Sequence, residues 1–206
     1  MKKAKKMVAL FCVVFILCGM VSMAKAVDMS EYVPCAVLTD NRTGETKEIP
    51  LERVCEPQVM SSANGTTYSV SYNAFVPIPT SDIQPLSEII GGKDENGVRV
   101  TITVVYEISR DHEDIKIKQI YGGWEPSSNL YIVTDREVGL YNFATGDRLR
   151  KYPTTNTFNY TTGWGYGSFI VGNTGAPYTW ADAVIEIYGM TATYDLTYGF
   201  IFPDEH

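Results

Sequence analysis

Apolar and polar side chains alternate with a period of two through much of the chain. Val98, Val100, Ile102, Val104, Tyr106 and Ile108 share one side, and Arg99, Thr101, Thr103, Glu107 and Ser109 the other. Such a stripe is a strand with one face on a core and one in water, the pattern of antiparallel sheets. It returns near the C-terminus, where Met190, Ala192, Tyr194, Leu196, Tyr198, Phe200 and Phe202 stand against Thr191, Thr193, Asp195, Thr197 and Gly199. Shorter runs predict strands at 68–75, 115–121, 130–134, 138–143, 149–152, 158–162, 169–172 and 183–188. Asn64-Gly65 and Asn96-Gly97 favour the positive φ angles of tight hairpins, and Thr145-Gly146-Asp147 closes another reversal. About ten strands at these intervals predict an all-β fold, an antiparallel β-sandwich forming a single domain. Only 82–90 offers a helical alternative, which Pro85 limits to a turn or two. Val76-Pro77-Ile78-Pro79 before it must be extended, because a residue preceding proline is pushed out of the α region.

The first residues break this pattern. Lys2, Lys3, Lys5 and Lys6 lead into an apolar run over 7–23, and Ala24-Lys25-Ala26 supplies the small side chains that a signal peptidase accepts. Cleavage before Val27 predicts a signal peptide at 1–26, a loose arm at 27–34 and one all-β domain over 35–206. The chain is then secreted. The alternative is an uncleaved leader anchoring it in a membrane, since about 17 apolar residues reach the lower edge of a bilayer span. Leu17 before Cys18 stands where a lipoprotein needs a small residue.

Removing the leader takes five of the 17 basic residues and none of the 24 acidic ones, leaving 12 against 24 and a net charge of −12. Such a chain repels phosphate backbones and anionic headgroups, which excludes nucleic acid and, after processing, membrane surfaces as partners. Cys12 and Cys18 leave as well, so Cys35 and Cys55 remain as a lone pair, read as one disulfide in an exported protein. A hairpin of 36–40 and 45–51 around a turn at 41–44 would bring them together. Closing a loop of about 20 residues would stabilise the fold by roughly 3 kcal/mol.

Catalytic chemistry finds little support. His112 is the one histidine inside the chain, in the charged run Arg110-Asp111-His112-Glu113-Asp114, which reads as a solvated turn between strands. No Gly-x-Ser-x-Gly elbow supplies it a nucleophile. Asp111, Glu113 and Asp114 could offer oxygens to calcium, but their spacing is not that of an EF-hand and no glycine bends the loop. Two histidines and two bridged cysteines do not make a zinc set, so no cofactor or metal is expected. Glu107 could serve a hydrolase, yet glycoside hydrolysis needs a second carboxyl group, and the sequence identifies none beside it.

The aromatic residues are more suggestive. After processing there remain 14 tyrosines, three tryptophans and six phenylalanines. In Gly163-Trp164-Gly165-Tyr166-Gly167 the rings have no bulky neighbours, and strand alternation gives Trp164 and Tyr166 a common face. Trp124 follows Gly122-Gly123, and Trp180 follows Pro177-Tyr178, both near strand ends. Trp164, Tyr166, Trp124 and Trp180 could form a platform that stacks on sugars or anchors a protein, or could simply close the ends of the core. The leading expectation is a non-enzymatic extracellular binding module for a protein partner or a wall or host glycan. A carboxylate-dependent hydrolase or lyase is the alternative, and a secreted toxin or antimicrobial β protein a third.

Overall fold

The computed structural model describes residues 35–79, 96–168 and 176–203. Regular structure in them is entirely β. The strands are β1 (Cys35–Asp40), β2 (Thr46–Pro50), β3 (Glu52–Arg53), β4 (Gln58–Ser61), β5 (Gly65–Pro77), β6 (Gly97–Ser109) and β7 (Asp114–Pro126). There follow β8 (Tyr131–Tyr141), β9 (Arg148–Lys151), β10 (Thr157–Thr161), β11 (Gly167–Ser168), β12 (Tyr178–Ile187) and β13 (Thr193–Ile201). They form two antiparallel sheets. The first runs β2-β1-β13-β12-β8-β9; the second runs β10-β7-β6-β5-β3, with β4 also on β5 and β11 also on β7. The leader at 1–26, the arm at 27–34, the helical alternative at 82–90 and the strand at 169–172 lie outside the described residues.

The alternating stripes are the core. Val98, Val100, Ile102 and Val104 of β6 are wholly buried, as are Tyr194, Tyr198 and Phe200 of β13. Buried residues of both sheets belong to one hydrophobic cluster. Tyr72 of β5 meets Phe200 with ring centres 4.8 Å apart, and Tyr106 of β6 meets Phe202 at 5.5 Å. A side chain buried this way contributes roughly 1.5–3 kcal/mol.

Two bulges adjust the alternation. On β7, Tyr106 opposes Ile117 while its neighbour Val105 opposes Gln119, so Lys118 is an extra residue. The inward phase shifts there, which is why Ile115 and Ile117, then Ile120 and Trp124, all point into the core. The bulge re-aims Lys118 toward the outer face, a common use of such insertions. On β8, Val184 opposes Thr134 and Asp182 opposes Glu137, so two residues, Asp135 and Arg136, face the single Ala183. The segments 130–134 and 138–143, expected as two strands, are therefore one. The polar residues between them form a bulge with Asp135 at a φ of 45°, not a turn.

The turn at 41–44 forms as expected: Gly44 adopts a φ of 74° and its N–H donates to the Asp40 carbonyl at 2.8 Å. The disulfide does not follow from it. In the β1–β2 register Cys35 opposes Pro50, five positions short of Cys55, and the chain then leaves the first sheet to pair Glu52 and Arg53 with β5 in the second. Cys35 and Cys55 are not bridged. Nor does Asn96-Gly97 make a tight hairpin, because Gly97 opposes Pro77 and the whole of 78–96 connects them. A reversal does join β4 to β5 at Asn64-Gly65, where the Ser62 N–H donates to the Gly65 carbonyl at 2.8 Å, but neither Asn64 nor Gly65 adopts the positive φ expected of it.

Candidate functional site

The outer face of the second sheet carries mostly hydroxyl and amide side chains in register across its strands, with Val105, Gly123 and Glu52 among them. One rung reads Asn159 on β10, Tyr121 on β7, Thr103 on β6 and Ser71 on β5. The next reads Thr161, Gln119, Val105, Ser69 and, on β4, Gln58. On the other side stand Thr157, Gly123, Thr101, Asn73 and, on β3, Glu52. These residues alternate with the core positions of their own strands, so burial of one face fixes the other. Several are bound to one another: the Thr103 hydroxyl donates to Ser71 Oγ at 2.9 Å, and Gln119 Nε2 donates to Asn159 Oδ1 at 2.6 Å.

Two tyrosines border this face, Tyr121 with 37% and Tyr166 with 40% of its surface exposed. Tyr166 precedes β11, which pairs with the start of β7 and so brings the ring beside Lys116 and Glu107. Its hydroxyl donates to Glu107 Oε1 at 2.6 Å, and Lys116 Nζ stands 5.7 Å from the ring centre. Lys118, turned outward by its bulge, donates to Glu107 Oε2 at 2.8 Å and to Thr67 Oγ1 at 3.3 Å. These bonds hold the Glu107 carboxyl below its ordinary pKa, Lys118 first and Tyr166 second. The same carboxylate pushes the Tyr166 phenol up to about 12. The hydrogen-bond partners of Glu107 are thus a lysine and a tyrosine, and one of these bonds ties down the Tyr166 hydroxyl.

The other three proposed platform residues lie elsewhere. Trp124 is 2% exposed on the inner side of β7 against Phe158, with its indole N–H unbonded. Trp180 is 5% exposed and belongs to the first sheet. Trp164 is half-buried and packs on the core, unlike Tyr166. The common face expected for those two fails because 162–166 is not a strand: β10 ends at Thr161, and Gly163 at a φ of 69° turns the chain. The four aromatics do not assemble, and only Tyr166 presents a ring to solvent.

No protein-family model, curated protein or solved structure matches this chain.

A second polar cluster, on the outer face of the first sheet, was invisible in the sequence. Glu137 of β8 and Asp182 of β12 are direct cross-strand neighbours. Glu137 accepts from Trp180 Nε1 at 3.0 Å and from Arg150 at 2.5 Å. Trp180 lies flat over Gly139, where an added Cβ would fall 2.0 Å from the ring, and it stacks on Tyr178 with Arg148 5.6 Å from the ring centre. Asp182 Oδ1 is shut off from solvent and has no hydrogen-bond partner. Burial, then the negative charges of Glu137 and Asp195, push its carboxyl up to about 8, against the pull of the Tyr198 backbone and of Arg150. Glu137 is bonded to Trp180 and Arg150, and the neighbouring Asp182 Oδ1 is closed to solvent.

His112 lies in an exposed turn at a φ of 63°, beside a shallow, polar hollow of ≈ 320 Å³ that Ser62, Ser109 and Arg110 also line. Asp111 accepts from the Ser109 hydroxyl and the Glu113 N–H, which lower its pKa. Among the described residues, no group of three histidine, cysteine or acidic side chains is placed to hold a metal ion.

Proposed function

We propose that the protein is a secreted β-sandwich, released by cleavage of its leader at 1–26, that binds extracellular polysaccharide without acting on it. The observation that carries this reading is the outer face of the second sheet: aligned rows of hydroxyl and amide side chains bordered by the exposed rings of Tyr121 and Tyr166. Sugars are recognised by hydrogen bonds to such groups and by stacking on aromatic faces. Tyr166 is held by its hydroxyl, so docking against its ring immobilises little that was free before, a saving in ordering entropy. The closed Glu137–Asp182 pair supports a binder over the hydrolase alternative. A glycan array probed with the mature protein and with a Tyr121→Ala/Tyr166→Ala double variant tests the reading. The wild type should bind, and the variant should lose at least tenfold in affinity with its fold intact. Equal binding by both, or none by the wild type, would contradict it.

A further inference from the structure

We infer that the polysaccharide taken by this face is uncharged and extended, lying across the strands along the rungs; the inference rests on the reading of the face as glycan-binding. The chain as a whole is acidic, with a formal net charge of −7. On this face the charges are answered locally. Lys118 is paired with Glu107 at 2.8 Å. Lys116 is the cross-strand neighbour of the same glutamate and sits over the Tyr166 ring. Arg99 lies 5.7 Å from the Phe75 ring centre and is in register with Glu125. The three rungs themselves carry one charged residue, Glu52 on the edge strand β3. Lys116, Lys118 and Arg99 are thus set against Glu107, Glu125 and Glu52, three of each sign, so a sulfated, phosphorylated or uronate polymer would meet no net positive charge here, and Glu52 would repel it. An ion pair that must be broken to serve a new partner yields little.

The spacing agrees with this chemistry. Neighbouring strands lie about 4.8 Å apart, so the rungs Asn159–Tyr121–Thr103–Ser71 and Thr161–Gln119–Val105–Ser69 each span four steps over about 14 Å, with Thr103 the buried member, while the third rung has Gly123 on β7. That step is close to the length of one pyranose unit in an extended chain. Asn159, Tyr121, Gln119 and Thr161 are the members of the two adjoining rungs nearest the β10 edge, where Asn159, Thr161 and Tyr121 are exposed. The bonded Gln119–Asn159 pair keeps its remaining amide hydrogens and lone pairs for a ligand.

Native affinity electrophoresis of the mature protein tests this, with hydroxyethyl cellulose and mixed-linkage β-glucan as uncharged probes and polygalacturonate as the anionic one. Asn159→Ala/Gln119→Ala is the test variant. Tyr152→Ala, an exposed ring outside the face, is the control. The inference expects retardation by an uncharged probe, unaffected by 0.5 M salt in the sense that a screened interaction would be, reduced at least fivefold in the test variant and unchanged in the control. Salt-sensitive retardation by polygalacturonate alone, lost in the test variant, would overturn the uncharged ligand while keeping the face as a glycan site. Retardation equal in the wild type and the test variant, or by no probe, would overturn both.

Discussion

Replacing Asp182 by asparagine should make the protein more stable at neutral pH and remove part of its pH dependence. The Asp182 carboxyl, ordinarily at 3.8, is raised to about 8 in the folded protein, because burial disfavours its charge and Glu137 stands opposite it. The folded state therefore holds a proton that the unfolded chain gives up, and stability falls as pH rises from the unfolded value through the folded one. At pH 7 the difference spans about three pH units, and at about 1.4 kcal/mol per unit the cost approaches roughly 4 kcal/mol. Asparagine fills the same space without ionising, but its amide must find partners where Oδ1 now has none, so the expected gain is about 2–4 kcal/mol. A gain of that size raises the melting temperature by about 5–12 °C in a domain of this length. Urea unfolding of wild type and variant at intervals from pH 4 to pH 9 measures it. The wild-type curve should decline across that window more steeply than the variant's. Equal stability at pH 7 together with parallel pH curves would refute the account of this carboxyl.

Glu107 has the opposite sign: its folded pKa is lowered below 4.5, so its contribution is present at neutral pH and lost as pH falls. Glu107→Gln should lower stability by about 1–2 kcal/mol at pH 7 and flatten the acid limb of the melting profile; an unchanged acid limb contradicts this. Trp124→Ala should cost about 3–5 kcal/mol in chemical denaturation, whereas Tyr166→Ala should cost about 1 kcal/mol, and equal losses would mean that Tyr166 is a core residue. Gly139→Ala should cost about 1–3 kcal/mol and red-shift tryptophan emission by lifting the Trp180 ring, with an unchanged spectrum as the contrary result. Peptide mapping without reductant should recover Cys35 and Cys55 in separate peptides, and a linked pair would contradict the register that sets Cys35 against Pro50.

What the sequence made legible was whatever depends on local alternation. The stripes on β6 and β13 identified the core residues because a strand buried on one face must place every second side chain inward. The same logic marked Glu107 as outward-facing. Bulges defeated it: Asp135 and Arg136 fall in the gap between two expected strands because their polarity interrupts the stripe, and Lys118 passes unnoticed because its excess residue is visible only against β6. Register defeated the disulfide in the same way, since the turn at 41–44 was correct while the pairing partner of Cys35 lay five residues from the one assumed. Glu137 and Asp182 come from distant strands, and no pattern within either strand says that they meet. The rungs of hydroxyl and amide groups are likewise a property of aligned strands, each of which alone looks like an ordinary solvated face.

Amide chemical-shift mapping of the labelled protein over 27–206, titrated with a soluble mixed-linkage β-glucan oligosaccharide, probes the proposed binding face itself. Shifts should concentrate in β5, β6, β7 and β10 and around Tyr166, and leave β8, β9 and β12 unmoved. Shifts confined to the Glu137–Asp182–Trp180 face, or none at saturating oligosaccharide, would contradict the assignment.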